Sequence, residues 1–257
     1  MGLRKLFGFG GEDGQGPEID TVITTMSPQP GQRIEGEILF RAGGSKLRID
    51  GLYLRVVGKV KQSDGSTADR EWAYLSPERA YFEVERRTEQ RVGMKGRLPW
   101  DCPVTELAGS STGIDLSLVT TIGDAVRDVD FVHVAASPLH EAVMEAFLTK
   151  GYRCTGSVLL DEHVPDIEHR HSWIQTFHLE DPAGDPAGFP TLEVTFFSNP
   201  VGAMVYVRRA ARHLTWWNDK PPAVPFPVAH HEAGETDLGP RLRDALASLA
   251  LLDRSAR

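Results

Sequence analysis

Residues 137–151 read SPLHEAVMEAFLTKG and carry a complete helix signal. Ser137 can cap the first free N–H groups, Pro138 suits the first turn, and Gly151 can adopt the left-handed conformation that ends a helix. Between these residues, apolar side chains recur at i, i+3, i+4, i+7 and i+8, which is the spacing of one buried stripe. The members of this stripe are Leu139, Ala142, Val143, Ala146 and Phe147. The segment therefore predicts one short helix that packs against a core.

The sequence on both sides of this helix alternates between apolar and polar residues. Residues 49–61, for example, place Leu52, Leu54 and Val56 on one face and Arg55 and Lys59 on the other. Such alternation is typical of half-buried strands. Beyond residue 237 a leucine-rich run with helical spacing predicts a second amphipathic helix. We therefore predict an all-β protein, not an α/β enzyme, with a short linking helix and a C-terminal helix.

The 257 residues are enough for two β-sandwiches of roughly 100 residues each. We predict an N-terminal sandwich over residues 1–135, a linking helix and C-terminal sandwich over residues 136–230, and a helical tail over residues 231–257. Residues 181–188 repeat Asp-Pro-Ala-Gly and predict a long hairpin loop. The proline-rich residues 221–227 predict an extended segment on the surface.

Composition excludes several classes of protein. The formal net charge of −8 argues against a nucleic-acid partner, which requires a basic surface. Only two cysteines, Cys102 and Cys154, are present, so we expect free thiols in a reducing, cytoplasmic compartment. No apolar run is long enough to span a membrane, and the N-terminus does not match a secretory signal. Membrane contact, through residues 3–7, would be at most transient.

No local motif of an enzyme is found in the sequence. It has no Gly-x-Ser-x-Gly elbow, no His-Glu-x-x-His helix and no phosphate-binding loop with its lysine. We therefore predict no enzymatic activity, no catalytic residues and no cofactor. The alternating residues His169 and His171, with His163 nearby, would place imidazoles on one strand face within reach of a metal ion. A solvent-facing polar strand gives the same pattern, so we predict no metal site and retain a metal-binding enzyme or sensor as an alternative.

Two groups of residues are candidates for binding a protein partner. Large aromatic residues beside cations can anchor a partner through buried area and cation–π contacts, although the same residues can hold the tail onto the second sandwich. This first group consists of Trp216, Trp217, Arg208 and Arg212. The apolar face of the tail helix must pack either on the body of the protein or on a partner. This second group consists of Leu242, Leu246 and Leu249.

The order of several short motifs resembles the SpoOM-type sporulation-control protein family. The motifs are GEILF at residues 36–40, IDGLYL at 49–54, LPWDCP at 98–103, TGID at 112–115, the strand and Pro-Leu helix over 128–141, and EVTFF at 193–197. The resemblance covers the chain up to about Trp217. It implies two arrestin-like β-sandwiches in tandem and a cytoplasmic regulatory role without catalysis. It also implies control of sporulation, differentiation or cell-cycle-linked processes through protein partners.

Residues and resemblance together predict a non-catalytic cytoplasmic adaptor or scaffold that binds unidentified proteins. The binding surfaces would be strand edges, the groove between the two halves, or the tail helix. An edge strand can also mediate homo-oligomerisation. The alternatives are the metal-binding protein described above and a peripheral membrane protein that uses residues 3–7 and the leucine-rich tail.

Overall fold

A computed structural model of the protein describes residues 17–162, 173–181, 189–210 and 221–255. Over these residues the chain is mostly β-structure with two α-helices, which confirms the predicted fold class. Residues 182–188 of the loop predicted over residues 181–188 lie outside the described residues. The strands and helices are, in chain order, β1 (Glu18–Ile23), β2 (Arg33–Arg41), β3 (Leu47–Asp50), β4 (Leu52–Lys61), β5 (Thr67–Pro77), β6 (Tyr81–Val84), β7 (Glu89–Arg97), β8 (Glu106–Leu107), β9 (Ser110–Ser111), β10 (Leu116–Ile122), β11 (Ala125–Phe131), α1 (Pro138–Thr149), β12 (Arg153–Asp161), β13 (Trp173–Glu180), β14 (Thr191–Ser198), β15 (Gly202–Arg209), β16 (Val224–Ala229) and α2 (Gly239–Ser255).

The first half packs two antiparallel layers around one core. One layer has the order β1-β2-β7, and the other has the order β5-β4-β10-β11. Strand β5 connects the layers, because it pairs with β4 over most of its length and with β7 at Ser76 and Pro77. Phe40, Val56 and Leu118 from the two layers are fully buried in the core between them. Burial of such side chains from both layers is the main stabilising contribution to this half.

Strand β5 and a break at Gly51 were not predicted from the sequence. The charged residues Asp69, Arg70 and Glu71 hide the alternation of β5, although Trp72 is only 1% exposed. The segment predicted as one strand over residues 49–61 is two strands, because Gly51 has a φ of +83°. This left-handed conformation turns the chain between β3 and β4 and is accessible to glycine without steric cost.

The second half is built on one five-stranded antiparallel sheet with the order β12-β13-β14-β15-β16. One face of this sheet contributes Phe177, Val194 and Val205 to a core that also contains both helices. Both faces of β14 are buried. The second core therefore lies between a sheet and two helices over the described residues.

Helix α1 forms where the sequence predicts it. The Ser137 side chain accepts a hydrogen bond from the His140 N–H, and Gly151 follows the helix with a φ of +95°. Leu139, Val143 and Phe147 are at most 1% exposed. The N-cap, the glycine stop and the apolar stripe of α1 thus all form as the sequence predicts.

Helix α2 packs on strands β15 and β16 and on α1. Leu238, Leu242, Ala245 and Leu249 face the second core and are at most 5% exposed. The apolar face of the tail therefore packs on the body of the protein.

The proline-rich segment before α2 belongs to the sheet of the second half. It was predicted as a surface segment, but residues 224–229 pair with β15 as an edge strand.

The two halves share a sheet and a set of contacts. Leu160 of β12 pairs in parallel with Lys61 of β4, and Leu159 is buried in the first core. The Trp72 and Trp173 rings meet edge to face at 5.9 Å. The division at residue 135 stays a prediction, but the two main cores lie largely on opposite sides of it in the sequence.

Candidate functional site

A groove of about 790 Å³ lies at the junction of the two halves, next to α1. Its walls are the outer face of α1, the beginning of β12 and the short hairpin formed by β8 and β9. Its size falls within the range of sites that bind small molecules and cofactors, roughly 300 to 1,000 Å³. We refer to this feature as the junction groove.

One wall of the junction groove is the face of α1 opposite the buried stripe. Glu141, Glu145 and Leu148 occupy positions i, i+4 and i+7, line the groove and are exposed. Leu148 is 50% exposed, which is high for a leucine on a helix that packs so tightly on its other side. This wall therefore presents two carboxylates and one apolar side chain on a rigid element.

The opposite wall is the free edge of β12. Directly after β13, the Asp181 N–H donates to Pro190 O at 3.0 Å. In β13, therefore, the backbone N–H and C=O groups of odd-numbered residues point toward β14, and those of even-numbered residues point toward β12. Cys154 lies opposite Leu179, and its backbone N–H and C=O therefore point away from β13. Among the described residues, no strand pairs with this edge at residues 153–155.

A β-bulge and the β8–β9 hairpin delimit this free edge. The register between β12 and β13 shifts between Cys154 and Gly156. Directly after the bulge, Ser157 N donates to Thr112 O at 2.7 Å, so this part of the edge is occupied. Thr112 is itself held by its hydroxyl, which donates to Val104 O at 2.7 Å. The hairpin thus ends the open part of the β12 edge.

The floor of the junction groove is apolar and its rim is polar. Met144, Tyr152 and Leu179 line the groove and belong to the second core. The Cys154 thiol donates to Gly156 O at 3.6 Å, and burial by neighbouring atoms raises the pKa of this thiol. A raised pKa disfavours the nucleophilic thiolate, so we interpret Cys154 as a contact residue. The arrangement suits the binding of an extended chain.

A second, small cavity is lined by His140, which forms a buried pair with Ser137. Ser137 Oγ and His140 Nδ1 are 2.7 Å apart, and burial lowers the pKa of His140 to about 4. Both residues are at most 6% exposed, and the adjacent cavity has a volume of about 20 Å³. A cavity of this size holds about one water molecule. The pair caps α1 and has no room for a substrate.

The other predicted site residues fall into three situations. Arg208 is 2% exposed, and its guanidinium contacts Glu193 at 2.8 Å and Glu162 at 3.5 Å. Leu242 and Leu249 are each 1% exposed in the second core, and Leu246 is half-buried at its edge. Arg212, Trp216 and Trp217, together with His163, His169 and His171, lie outside the described residues.

No group of three or more potential metal ligands occurs within residues 17–162, 173–181, 189–210 and 221–255. His163, His169 and His171 lie outside these ranges, so their relation to metal stays a prediction. In the same ranges, neither helix is long and apolar enough to cross a bilayer.

The free edges at the ends of the sheets are partly closed. On β16, Pro225 and Pro227 have no N–H, and Pro227 O accepts a hydrogen bond from Arg241 Nη1 at 3.2 Å. Ala229 N, the next outward group of that strand, donates to Glu232 Oε2 at 2.8 Å. On β1, Thr21 N donates to Asp128 Oδ2 of the facing layer at 2.5 Å. Prolines and capped backbone groups are common means of blocking strand addition, so the β12 edge is more accessible than the edges of β16 and β1.

Comparison with known proteins agrees with this fold. A family model described as SpoOM protein matches residues 4–212. The chain belongs to the SpoOM family. No curated protein matches its sequence significantly. The family match includes α1, the β8–β9 hairpin and β12, whereas Ala233 and Gly234, which also line the groove, lie outside it.

Among solved structures, the protein is similar to the sporulation control protein Spo0M from Bacillus subtilis. The two share 22% identity with a TM-score of 0.74, and the alignment covers 91% of this chain and 99% of that chain. This likeness shows a common fold over nearly the whole molecule. The alkylpurine DNA glycosylase AlkC from Pseudomonas fluorescens, solved with DNA, aligns at 11% identity over 48% of this chain and 31% of that chain, with a TM-score of only 0.31.

The junction groove was predicted only in outline. A groove between the two halves was one of three predicted binding surfaces, but Glu141, Glu145 and Cys154 were not singled out from the sequence. The exposed positions 141, 145 and 148 could have been found, because the buried stripe of α1 leaves them on the opposite face. The free edge of β12 could not have been found from the sequence, because strand pairing depends on residues that are distant in the sequence.

Proposed function

We propose that this SpoOM family member is a non-catalytic, cytoplasmic regulatory adaptor that acts by binding other proteins. The observation that carries the proposal is the junction groove, an open site lined by a rigid helix and an unpaired strand edge, which is an arrangement that can hold an extended peptide. The name of the similar Bacillus subtilis protein, a sporulation control protein, supports a regulatory role. We likewise propose that the process this protein regulates is sporulation, differentiation or a cell-cycle-linked process.

Two groups with catalytic potential lie in the described part of the chain, and both are unsuited to reaction. The serine and histidine pair is buried, and burial raises the pKa of the Cys154 thiol in the groove, which disfavours the nucleophilic thiolate. The exposed side chains of the groove, such as Glu141 and Leu148, offer complementary charge and apolar area to a partner. An adaptor needs such a surface and no reacting group.

Site-specific photo-crosslinking in the native cells tests this proposal. A photoreactive phenylalanine analogue would replace Leu148 in the groove, and in a second variant Tyr81, which is 70% exposed and does not line the groove. We expect discrete protein adducts at position 148 that are absent at position 81. Absence of protein adducts from position 148 and from a scan of further exposed positions would overturn the adaptor function.

A further inference from the structure

We infer that the junction groove binds an extended, basic and apolar segment of a partner protein by strand addition to the first residues of β12. This inference rests on the proposed function and specifies the chemistry of the partner. Three features of the groove support it, namely the backbone of β12, the charge of α1 and the apolar floor.

The backbone of β12 at Cys154 supplies the pairing groups. Its N–H and C=O point away from β13 and toward the groove, as the register with Leu179 requires. Unpaired groups of this kind accept an extended chain through main-chain hydrogen bonds. The Ser157–Thr112 bond closes the edge three residues later, so the added strand is short. Side-chain contacts must therefore supply part of the affinity.

The charge of the groove selects a basic segment. Glu141 and Glu145 are exposed on the wall that faces β12, whereas Arg153 is the one cation among the groove-lining residues. Neither glutamate is held in an ion pair among the described residues. Since the whole chain carries a net charge of −8, its overall field also favours a cationic segment. Opposite charges across such a groove steer association and exclude acidic competitors.

The apolar lining of the junction groove determines which alternate side chains of the partner segment fit. A strand added to β12 points every second side chain to the same face. Met144 and Leu148 of α1, with Tyr152 before β12, offer apolar area to those side chains. The segment that fits has Lys or Arg and a large apolar residue on its α1-facing side. In strand addition generally, main-chain hydrogen bonds give affinity, and pockets for alternate side chains give specificity.

The experiment uses the full-length protein and a phage-displayed library of random 12-residue peptides. The selected peptides would be synthesised and their affinity measured by fluorescence polarisation. We expect enrichment of peptides with Lys or Arg alternating with apolar residues. The double variant E141K/E145K should weaken their binding at least tenfold. The control D115K/D124K, which reverses two exposed carboxylates away from the groove, should leave the affinity within twofold.

Two further measurements separate strand addition from simple charge attraction. N-methylation of the peptide amides one at a time should abolish binding at the position whose N–H pairs with Cys154 O, and should spare the two neighbouring positions, because their N–H groups point away from β12. Hydrogen exchange should show slower exchange over residues 153–156 when the peptide is bound. Binding that survives every N-methylation, or exchange that does not change there, would overturn strand addition.

The outcome also distinguishes this inference from the proposed function. Photo-crosslinked partners at position 148, combined with peptides that are insensitive to E141K/E145K, would overturn the inferred partner chemistry and leave the adaptor function in place. Selection of acidic peptides, or of none, would overturn it as well. Loss of protein partners altogether would instead remove the function on which the inference rests.

Discussion

At the scale of single residues, His140 shows how burial links stability to pH. The imidazole is 5% exposed, lies 4.5 Å from the Phe196 ring between ring centroids, and has its pKa lowered to about 4 by burial and the nearby His230. The unfolded chain takes up this proton near pH 6.5, whereas the folded protein resists protonation. Folding stability is therefore retained above pH 6.5 and is lost as pH falls from about 6.5 to about 4.

The first prediction concerns this pH dependence. We expect wild type to lose up to about 3 kcal/mol of unfolding free energy through His140 over this range. The variant His140→Asn keeps a polar group beside Ser137 but does not titrate, so its loss should be smaller by this amount. Urea unfolding between pH 4 and pH 7 measures the difference. His133→Asn, at an exposed position, should keep the wild-type slope, and equal slopes for all three proteins would contradict the assignment.

The second prediction concerns the buried charges of the second sheet. Arg208 lies between Glu193 and Glu162, and all three side chains are at most 6% exposed. Removal of the cation leaves two carboxylates desolvated, so Arg208→Met should lower the unfolding free energy by about 3–5 kcal/mol. E193Q/R208M should recover part of this loss because one buried charge is removed.

The measurement for Arg208 is equilibrium unfolding at neutral pH. Arg33→Met is the matched control, because Arg33 forms an ion pair with Glu35 on the surface, where such pairs contribute little. An effect of Arg208→Met as small as that of Arg33→Met would show that the buried pair is not needed for folding.

At the scale of elements, the edge of β16 illustrates how a strand is protected from pairing. Pro225 and Pro227 alternate with residues that pair with β15, so their side of the strand offers no N–H at these positions. Arg241 and Glu232 cap the neighbouring outward groups. The same alternation that makes this segment unusual for a strand makes it suitable as an edge.

The third prediction follows from this edge. The variant P225T/P227T should restore outward N–H groups and promote concentration-dependent association through β16. P221T/P222T, which changes two prolines just before the strand, should stay as wild type. Sedimentation velocity over a range of protein concentrations measures the difference. Identical sedimentation of the two variants would mean that the prolines are not what protects this edge.

At the scale of the whole molecule, Gln175 links the two halves. Its side chain on β13 accepts a hydrogen bond from Val104 N at 2.8 Å and donates to Val104 O at the same distance. It also donates to Ser157 Oγ at 2.8 Å. The glutamine thereby satisfies backbone groups of a segment that has left the first sandwich, much as a neighbouring strand would.

The fourth prediction is that Gln175→Leu weakens the coupling of the halves. The loss leaves part-buried backbone groups without this partner and should cost about 2 kcal/mol of unfolding free energy. Gln90→Leu, at another half-buried strand position, serves as the control. Scanning calorimetry would measure both variants. A melting temperature for Gln175→Leu equal to that of the control would show that this amide does not hold the junction together.

Features that depend on neighbours in sequence could be predicted from the sequence. The cap, stripe and stop of α1, the apolar face of α2 and the alternation of β4 each follow from side chains a few residues apart. Strand β5 was not predicted because its charged residues interrupt the alternation of apolar and polar side chains. Gly51 marks a turn, but only its observed φ shows that the chain breaks there.

Features that depend on residues distant in sequence were settled by the fold. Arg208 appears as a surface cation in the sequence, but the fold buries it beside Glu162 and Glu193. The open edge of β12 exists because β4 reaches it at only one position and the β8–β9 hairpin stops short of Cys154. Local chemistry determines which segments become helices and strands. Long-range packing determines which edges and charges stay accessible, since burial depends on every element that arrives from elsewhere in the chain.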